Sequence, residues 1–307
     1  SHFWQGLAAQ QTTDRFMPML RQVTLSPPPP DLRFELLLPS QIPEATTFLT
    51  NHFSKSTNTH PVLHPTLSPS SHEIILIARD QTDLLVGCIR YKFSGVFQQQ
   101  PIHCIDCFCV HPMYRGSGLA SRLLQEIHEY TNRLGKRYSI FLKEGRPVPS
   151  VSPFYSSTYV YKAISDSDSD RRTQTDSVKQ ISPELANRLV SVYQQLYPAT
   201  FWIHSVTNPN QTWYLYRTDS KCLLVCLQDS FQTFQGQRIG WLTACFRSGS
   251  VKTDIILGSV QTYGWIWMDK AFLNGDETGW HTDGAFHWYG YQWTSCLRPA
   301  KSYGIVV

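Results

Sequence analysis

The apolar residues of the first half fall into short alternating runs and one long helical repeat. Asp31 to Leu38 alternates enough to predict a first strand, and Ser40 is placed to cap a helix whose Ala45, Phe48, Leu49 and Phe53 share a face. Ser54 to Ser71 is polar and proline-rich, the composition of a loop. Glu73 to Arg79 and Leu84 to Phe93 read as a hairpin turning at Asp80 to Asp83, and His103 to His111 as a third strand. Leu119, Leu123, Ile127, Tyr130 and Leu134 then recur at helical spacing until Gly135 stops the helix, and Arg137 to Leu142 resumes as strand.

Residues 165–175, SDSDSDRRTQT, hold no apolar side chain and divide the pattern. This predicts an N-terminal half over 1–164, a polar linker over 165–180 and a C-terminal half over 181–307. The second half restarts with Ser182 as cap, Pro183 in the first turn, and Leu185, Leu189, Val192 and Leu196 as one face. Trp213–Arg217, Lys221–Leu227, Ile239–Phe246, Ile255–Trp267, Phe286–Trp293 and Ser302–Val307 are aromatic or β-branched enough to predict strands. Pro27 to Pro30 read as a rigid spacer after an N-terminal arm.

Composition narrows the chemistry. A chain of 307 residues, 41% hydrophobic, is large enough for one big core or two ordinary ones. Its net charge is only +4 and the basic residues are scattered, which argues against nucleic acid as a partner. No run of 18 apolar residues exists, so the expectation is a chain without membrane insertion. Several of the eight cysteines lie inside apolar strands, where a free thiol is a small hydrophobe, and this fits a reducing, cytoplasmic setting. Cys104 and Cys107 have C-x-x-C spacing without a second pair, and His60, His64 and His72 sit in the proline-rich loop without helical spacing, so no metal is expected.

Chemistry concentrates in residues 105–120, IDCFCVHPMYRGSGLA, where an apolar strand runs into a glycine-containing turn and an amphipathic helix. Arg115, Gly118 and Ala120 match the R-x-x-G-x-A pattern of the GNAT acyltransferase superfamily, in which a helix N-terminus offers backbone N–H groups to the pyrophosphate of coenzyme A. Gly116 and Gly118 would permit close approach and Arg115 would add charge, with Ser117 and Leu119 completing the turn.

Separated motifs across both halves resemble protein N-myristoyltransferase. His2-Phe3-Trp4 is similar to the family's K-F-W segment, Asn51-His52-Phe53 to its N-Y-V, and residues 106–111, DCFCVH, to its N-F-L-C-V-H. Residues 147–155, PVPSVSPFY, are similar to P-K-P-V-S-T-C-R-Y; residues 283–293, DGAFHWYGYQW, to D-G-N-L-Q-Y-Y-L-Y-N-W; and residues 304–307, GIVV, to the terminal G-L-V-L-Q.

The resemblance implies an α+β fold of two pseudo-symmetric GNAT-like halves sharing a bent, mainly antiparallel sheet with helices around it. It implies a monomeric acyltransferase that moves myristoyl from myristoyl-CoA, its co-substrate, to the N-terminal glycine amine of an acceptor protein by direct attack. His2, Phe3, Trp4 and residues 115–120 (Arg115, Gly116, Ser117, Gly118, Leu119, Ala120) would hold the coenzyme. The backbone N–H groups of Cys107 and Phe108 would form an oxyanion hole, Ser152 would place a hydroxyl near the amine, and the carboxylate of Val307 would be the base. Asn51, Tyr155, Asp283 and Gly284 would line the peptide site. Two departures stand out: one residue fewer follows Gly304 than in the family pattern, and Ser54, Lys55 and Ser56 replace an acidic run. An ordinary GNAT N-acetyltransferase and a catalytically silent relative that binds acyl-CoA or a lipopeptide are the alternatives.

Overall fold

The structure is a computed structural model that describes residues 15–16, 31–54, 60–148, 152–164, 177–198, 200–203, 210–260, 262–275, 277–294 and 302–305. Along the chain the elements are β1 (Arg15–Phe16), β2 (Arg33–Leu36), α1 (Ile42–His52), β3 (Val62–Leu63), β4 (Glu73–Arg79), β5 (Leu85–Phe97), β6 (Gln100–Val110), α2 (Leu119–Arg133) and β7 (Tyr138–Glu144). There follow β8 (Tyr155–Ala163), β9 (Val178–Ile181), α3 (Pro183–Leu196), β10 (Trp202–Ile203), β11 (Gln211–Arg217), β12 (Cys222–Phe234), β13 (Gln237–Ser248), β14 (Trp265–Asp269), β15 (His281–Tyr291), β16 (Trp293–Thr294) and β17 (Tyr303–Ile305).

Two compact units emerge. The first takes Ser1–Phe93, Gln100–Phe154 and His287–Cys296; the second takes Ser94–Gln99, Tyr155–Phe286 and Leu297–Val307. In the first unit the strand order is β2-β4-β5-β6-β7 followed by the end of β15, with β2, β4 and β5 antiparallel and β6 parallel to β7. Helix α2 crosses over between β6 and β7, the connection that a parallel pair requires. Its Leu119, Leu123, Leu124 and Ile127 bury against Ile74, Leu76, Ala78, Val86 and Ile89 of β4 and β5. Gly135, at φ +71°, stops α2 where the sequence places the stop.

The second unit repeats the plan with different parts. β11, β12 and β13 are antiparallel, and β13 is parallel to β14. The crossover between that pair is a 3-10 helix, Thr253–Ser259, rather than an α-helix. The predicted strand over Ile255–Trp267 is therefore corrected: among its described residues strand begins only at Trp265, in Trp265–Asp269, and Ile256 and Leu257 are buried from the 3-10 helix instead. Helix α3 begins as expected, the Ser182 hydroxyl accepting the Leu185 N–H at 3.3 Å. Its buried face, however, is Ala186, Asn187 and Val190, while Leu185, Val192 and Leu196 are exposed. That face is set by tertiary contacts, Ala186 and Val190 packing with Trp202, Trp213 and Phe246. Ser40 is not a cap; Pro39–Gln41 form a 3-10 turn and α1 opens at Ile42.

Candidate functional site

Strand β6 carries the first functional feature. Its parallel register with β7 runs from Ile102↔Tyr138 to Cys104↔Ile140 and ends there, although β6 continues to Val110 and β7 to Glu144. Just past that point Cys107 adopts φ +46°, in the left-handed region that a side chain makes costly. The strand's phase slips at this residue. Ile105, Phe108 and Val110 pack on the α2 side of the sheet, whereas Asp106 and Cys107 both fall on the side of Arg90. Two successive residues on one face define a bulge, which re-aims backbone N–H groups in its neighbourhood.

The bulge is held by charge. Arg90, 5% exposed, donates Nε and Nη2 to the two carboxylate oxygens of Asp106 at 2.6 and 2.7 Å, and Nη1 to the Thr66 carbonyl at 3.1 Å. Burial pushes the Cys107 thiol well above its ordinary range, with Arg90 acting in the opposite sense. Burial therefore keeps this thiol protonated at neutral pH.

The second feature follows directly. After Pro112–Tyr114, Gly116 and Gly118 take φ of +82° and +88°, and Gly118 is the N-cap of α2. A Cβ at either glycine would meet nothing within 4 Å, so the turn in front of the helix faces open space. The first N–H groups of α2 lack intrahelical partners and point into that space with the positive end of the helix dipole. Arg115 is exposed; its Nη2 donates to the His52 carbonyl at 2.9 Å and its Nε to the Val110 carbonyl at 3.2 Å. That bond brings the end of α1, with Asn51 one residue earlier, to the same turn. The His52 ring stands 4.7 Å from that of His111, and burial followed by the charges of His111 and Arg115 lowers its pKa. These donors and this open turn fit a diphosphate; among the described residues no group of three or more His, Cys, Asp and Glu is disposed to hold a metal.

Cys107, Phe108 and Arg115 to Ala120 thus lie along one strand–turn–helix corner of the first unit, and exposed Ser152 belongs to the same unit. Tyr155, Asp283 and Gly284 belong to the second. There Tyr155 donates to Asp269 at 2.5 Å, and Asp283 accepts the Trp267 indole N–H at 2.7 Å. Trp267 pairs in register with Trp241 on one side and Tyr161 on the other, so the three share a face. His2, Phe3, Trp4 and Val307 lie outside the described residues. The residues that sequence reasoning passed over are Arg90 and Asp269. The available signal was a charge inside an apolar strand, LVGCIRYKF and WIWMD, which a core accepts only with a partner.

Residues 42–155 match the family model described as the acetyltransferase (GNAT) family. Over nearly its whole length the chain is similar in structure to N-myristoyltransferase of Saccharomyces cerevisiae with bound myristoyl-CoA. The TM-score is 0.64 at 12% identity, covering 97% of this chain and 94% of that one. A second structure of the yeast enzyme, with myristoyl-CoA and inhibitors bound, gives 0.63 at 13% identity, covering 98% and 92%. A glucosamine N-acetyltransferase region of a fungal β-N-acetylglucosaminidase gives 0.50 at 12%, covering 86% of this chain and 38% of that one. No curated protein matches the chain by sequence. The fold is therefore GNAT-like, a mixed sheet of many strands with few helices.

Proposed function

We propose that this protein is an acyltransferase that moves a long-chain acyl group, myristoyl, from its coenzyme A thioester to the N-terminal glycine amine of an acceptor polypeptide. The observation that carries the reading is the corner at Cys107 to Ala120, where a bulged strand next to a finished ladder leads into an open glycine turn at a helix N-terminus. The fold likeness to a myristoyl-CoA-bound enzyme over nearly the whole chain supports the choice of acyl donor.

In this reading the N–H groups at the start of α2 and Arg115 receive the pyrophosphate, and Asn51 sits at the neighbouring helix end. His2, Phe3 and Trp4 lie against the coenzyme. The backbone N–H groups of Cys107 and Phe108 stabilise the oxygen of the thioester carbonyl as it gains charge. The amine nitrogen attacks that carbon, the C–N bond forms, the C–S bond breaks, and the thiolate leaves. One proton of the acceptor's ammonium goes to the Val307 carboxylate before the attack, with the Ser152 hydroxyl close by, and the second, shed from nitrogen as the amide forms, goes to the leaving thiolate. Ordinary α-carboxyl and α-amino groups differ by roughly 4 pKa units, so the transfer to Val307 costs on the order of 6 kcal/mol in water and less where burial disfavours both charges. Tyr155, Asp283 and Gly284 line the acceptor's path.

The match of residues 42–155 to acetyltransferases favours a second reading, transfer of an acetyl group. Incubating the protein with acetyl-CoA or myristoyl-CoA and a glycine-initiated peptide, with product mass measured, separates them. Myristoylation of the peptide amine supports the first reading and acetylation alone overturns it. Extending the chain beyond Val307 by several residues should abolish turnover while acyl-CoA still binds.

A further inference from the structure

Asp269 ends β14 and starts the 3-10 turn Lys270–Leu273, where its Oδ1 accepts the Ala271 N–H at 2.8 Å. So far this is an ordinary capping aspartate, a residue that usually stands at the surface with water completing its shell. Here the side chain is fully buried, at 0% exposure. Oδ2 accepts two phenol hydroxyls, from Tyr155 and Tyr303, each at 2.5 Å, and Oδ1 also accepts the Ser157 hydroxyl. Among the described residues no lysine, arginine or histidine pairs with it.

A buried carboxylate without a cation is held in place only by its donors, and apolar packing would serve stability as well or better. The arrangement is therefore informative about what it connects. Tyr155 and Ser157 open β8, and Tyr303 opens β17, the last strand described. The Tyr155 and Tyr303 rings meet edge to face at 5.1 Å, and Tyr303 leans on Phe272 at 4.6 Å. Ring packing alone lets each ring slide or turn, whereas a hydrogen bond to a fixed oxygen sets its direction. β17 is pinned a second time one residue later. A side chain at Gly304 would come within 2.5 Å of the Trp202 ring and 2.7 Å of Ala244. Burial, with the Asp269 charge adding to it, pushes both phenols above their usual range, so they remain donors at any physiological pH.

We propose that Asp269 is a positioning residue for the acceptor side of the reaction, aiming Tyr155 and fixing β17 through one carboxylate. The inference rests on the acyl-transfer reading above, in which Tyr155 lines the acceptor's path and β17 leads to the proton-accepting Val307. Asp269 touches neither substrate nor the reacting atoms.

The test compares Asp269→Asn, Tyr155→Phe and Tyr303→Phe with the unaltered protein, reading kcat, KM for a glycine-initiated peptide, Kd for myristoyl-CoA and the thermal midpoint. Tyr155→Phe should raise peptide KM and Tyr303→Phe should lower kcat, each by about tenfold. Asp269→Asn should do both, and Kd for the acyl-CoA should stay within about twofold in all three. A folded Asp269→Asn protein with unchanged kcat and KM overturns the proposal, as does an acyl-CoA affinity that falls in step with turnover. If Asp269→Asn does not fold, Tyr303→Phe, which keeps the ring, decides by the same criteria. Absence of turnover in the unaltered protein refutes the acyl-transfer reading itself and the inference with it, whereas an active parent with silent variants refutes only the inference.

Discussion

Arg90 and Asp106 meet in a two-point ion pair one residue before Cys107, the position where β6 turns left-handed. Because the guanidinium is buried and the carboxylate half exposed, the arginine is the partner that loses most when the pair is broken. Asp106→Ala should cost about 2 to 3 kcal/mol in urea unfolding and release the bulge. In single-turnover assays the acyl-transfer step should slow by more than acyl-CoA affinity weakens. An equal loss of both would mean that Asp106 serves the fold alone.

Gly116 and Gly118 face open space, so what a side chain would offend there is backbone conformation only. Alanine at either should destabilise by about 1 to 2 kcal/mol, the cost of a left-handed residue. It should also weaken acyl-CoA binding, measured by calorimetry, by flattening the turn. Arg115→Ala should weaken the same Kd about tenfold through lost charge, without moving peptide KM. Should Arg115→Ala leave Kd unchanged, the guanidinium serves only the carbonyls of His52 and Val110.

How much of this was legible beforehand follows from periodicity. The β6–turn–α2 corner was readable because strand, glycines and helical repeat occur in order within residues 105–120, and Gly135 marked the end of the helix. The turn after β5 was not, since Gln98 and Gln99 take φ of +47° and +65° without the Asn-Gly that usually signals such a turn. The face of α3 was misread because apolar residues Leu185, Val192 and Leu196 repeat at helical spacing, and only the tertiary neighbours Trp202 and Trp213 show that Ala186 and Val190 face inward. Asp269 showed in the sequence only as a charge within WIWMD; its partners were not readable, because its three hydroxyl donors come from residues 155, 157 and 303, distant in sequence.

Cys107 tests whether side chain or backbone acts at the bulge. Its thiol is buried and pushed far from ionisation, so Cys107→Ala should keep acyl transfer within about threefold and lose about 1 kcal/mol of stability. A covalent acyl-cysteine trapped by mass spectrometry in the unaltered protein, absent in the variant, would replace direct transfer with a two-step route.

His103 supplies a pH dependence whose direction can be worked out. The ring is 2% exposed, stacked on Tyr91 at 4.5 Å, and its Nδ1 has no hydrogen-bond partner. Burial first, then the charge of Lys136, lowers its pKa from 6.5 to about 4. In the unfolded chain the imidazole takes a proton near pH 6.5, and in the folded one only near 4, so protonation favours the unfolded state. The stability contributed by keeping this ring neutral is fully present above pH 6.5 and is lost as the pH falls towards 4. The loss should be about 2 kcal/mol by pH 5 and about 3 kcal/mol by pH 4. His103→Phe keeps an aromatic ring against Tyr91 and removes the titration. Urea unfolding at pH 7 and pH 5 should therefore show a drop about 2 kcal/mol smaller in the variant, since every carboxylate is common to both proteins. Parallel stability curves for the two would mean that water reaches the ring and that its burial does not govern its proton.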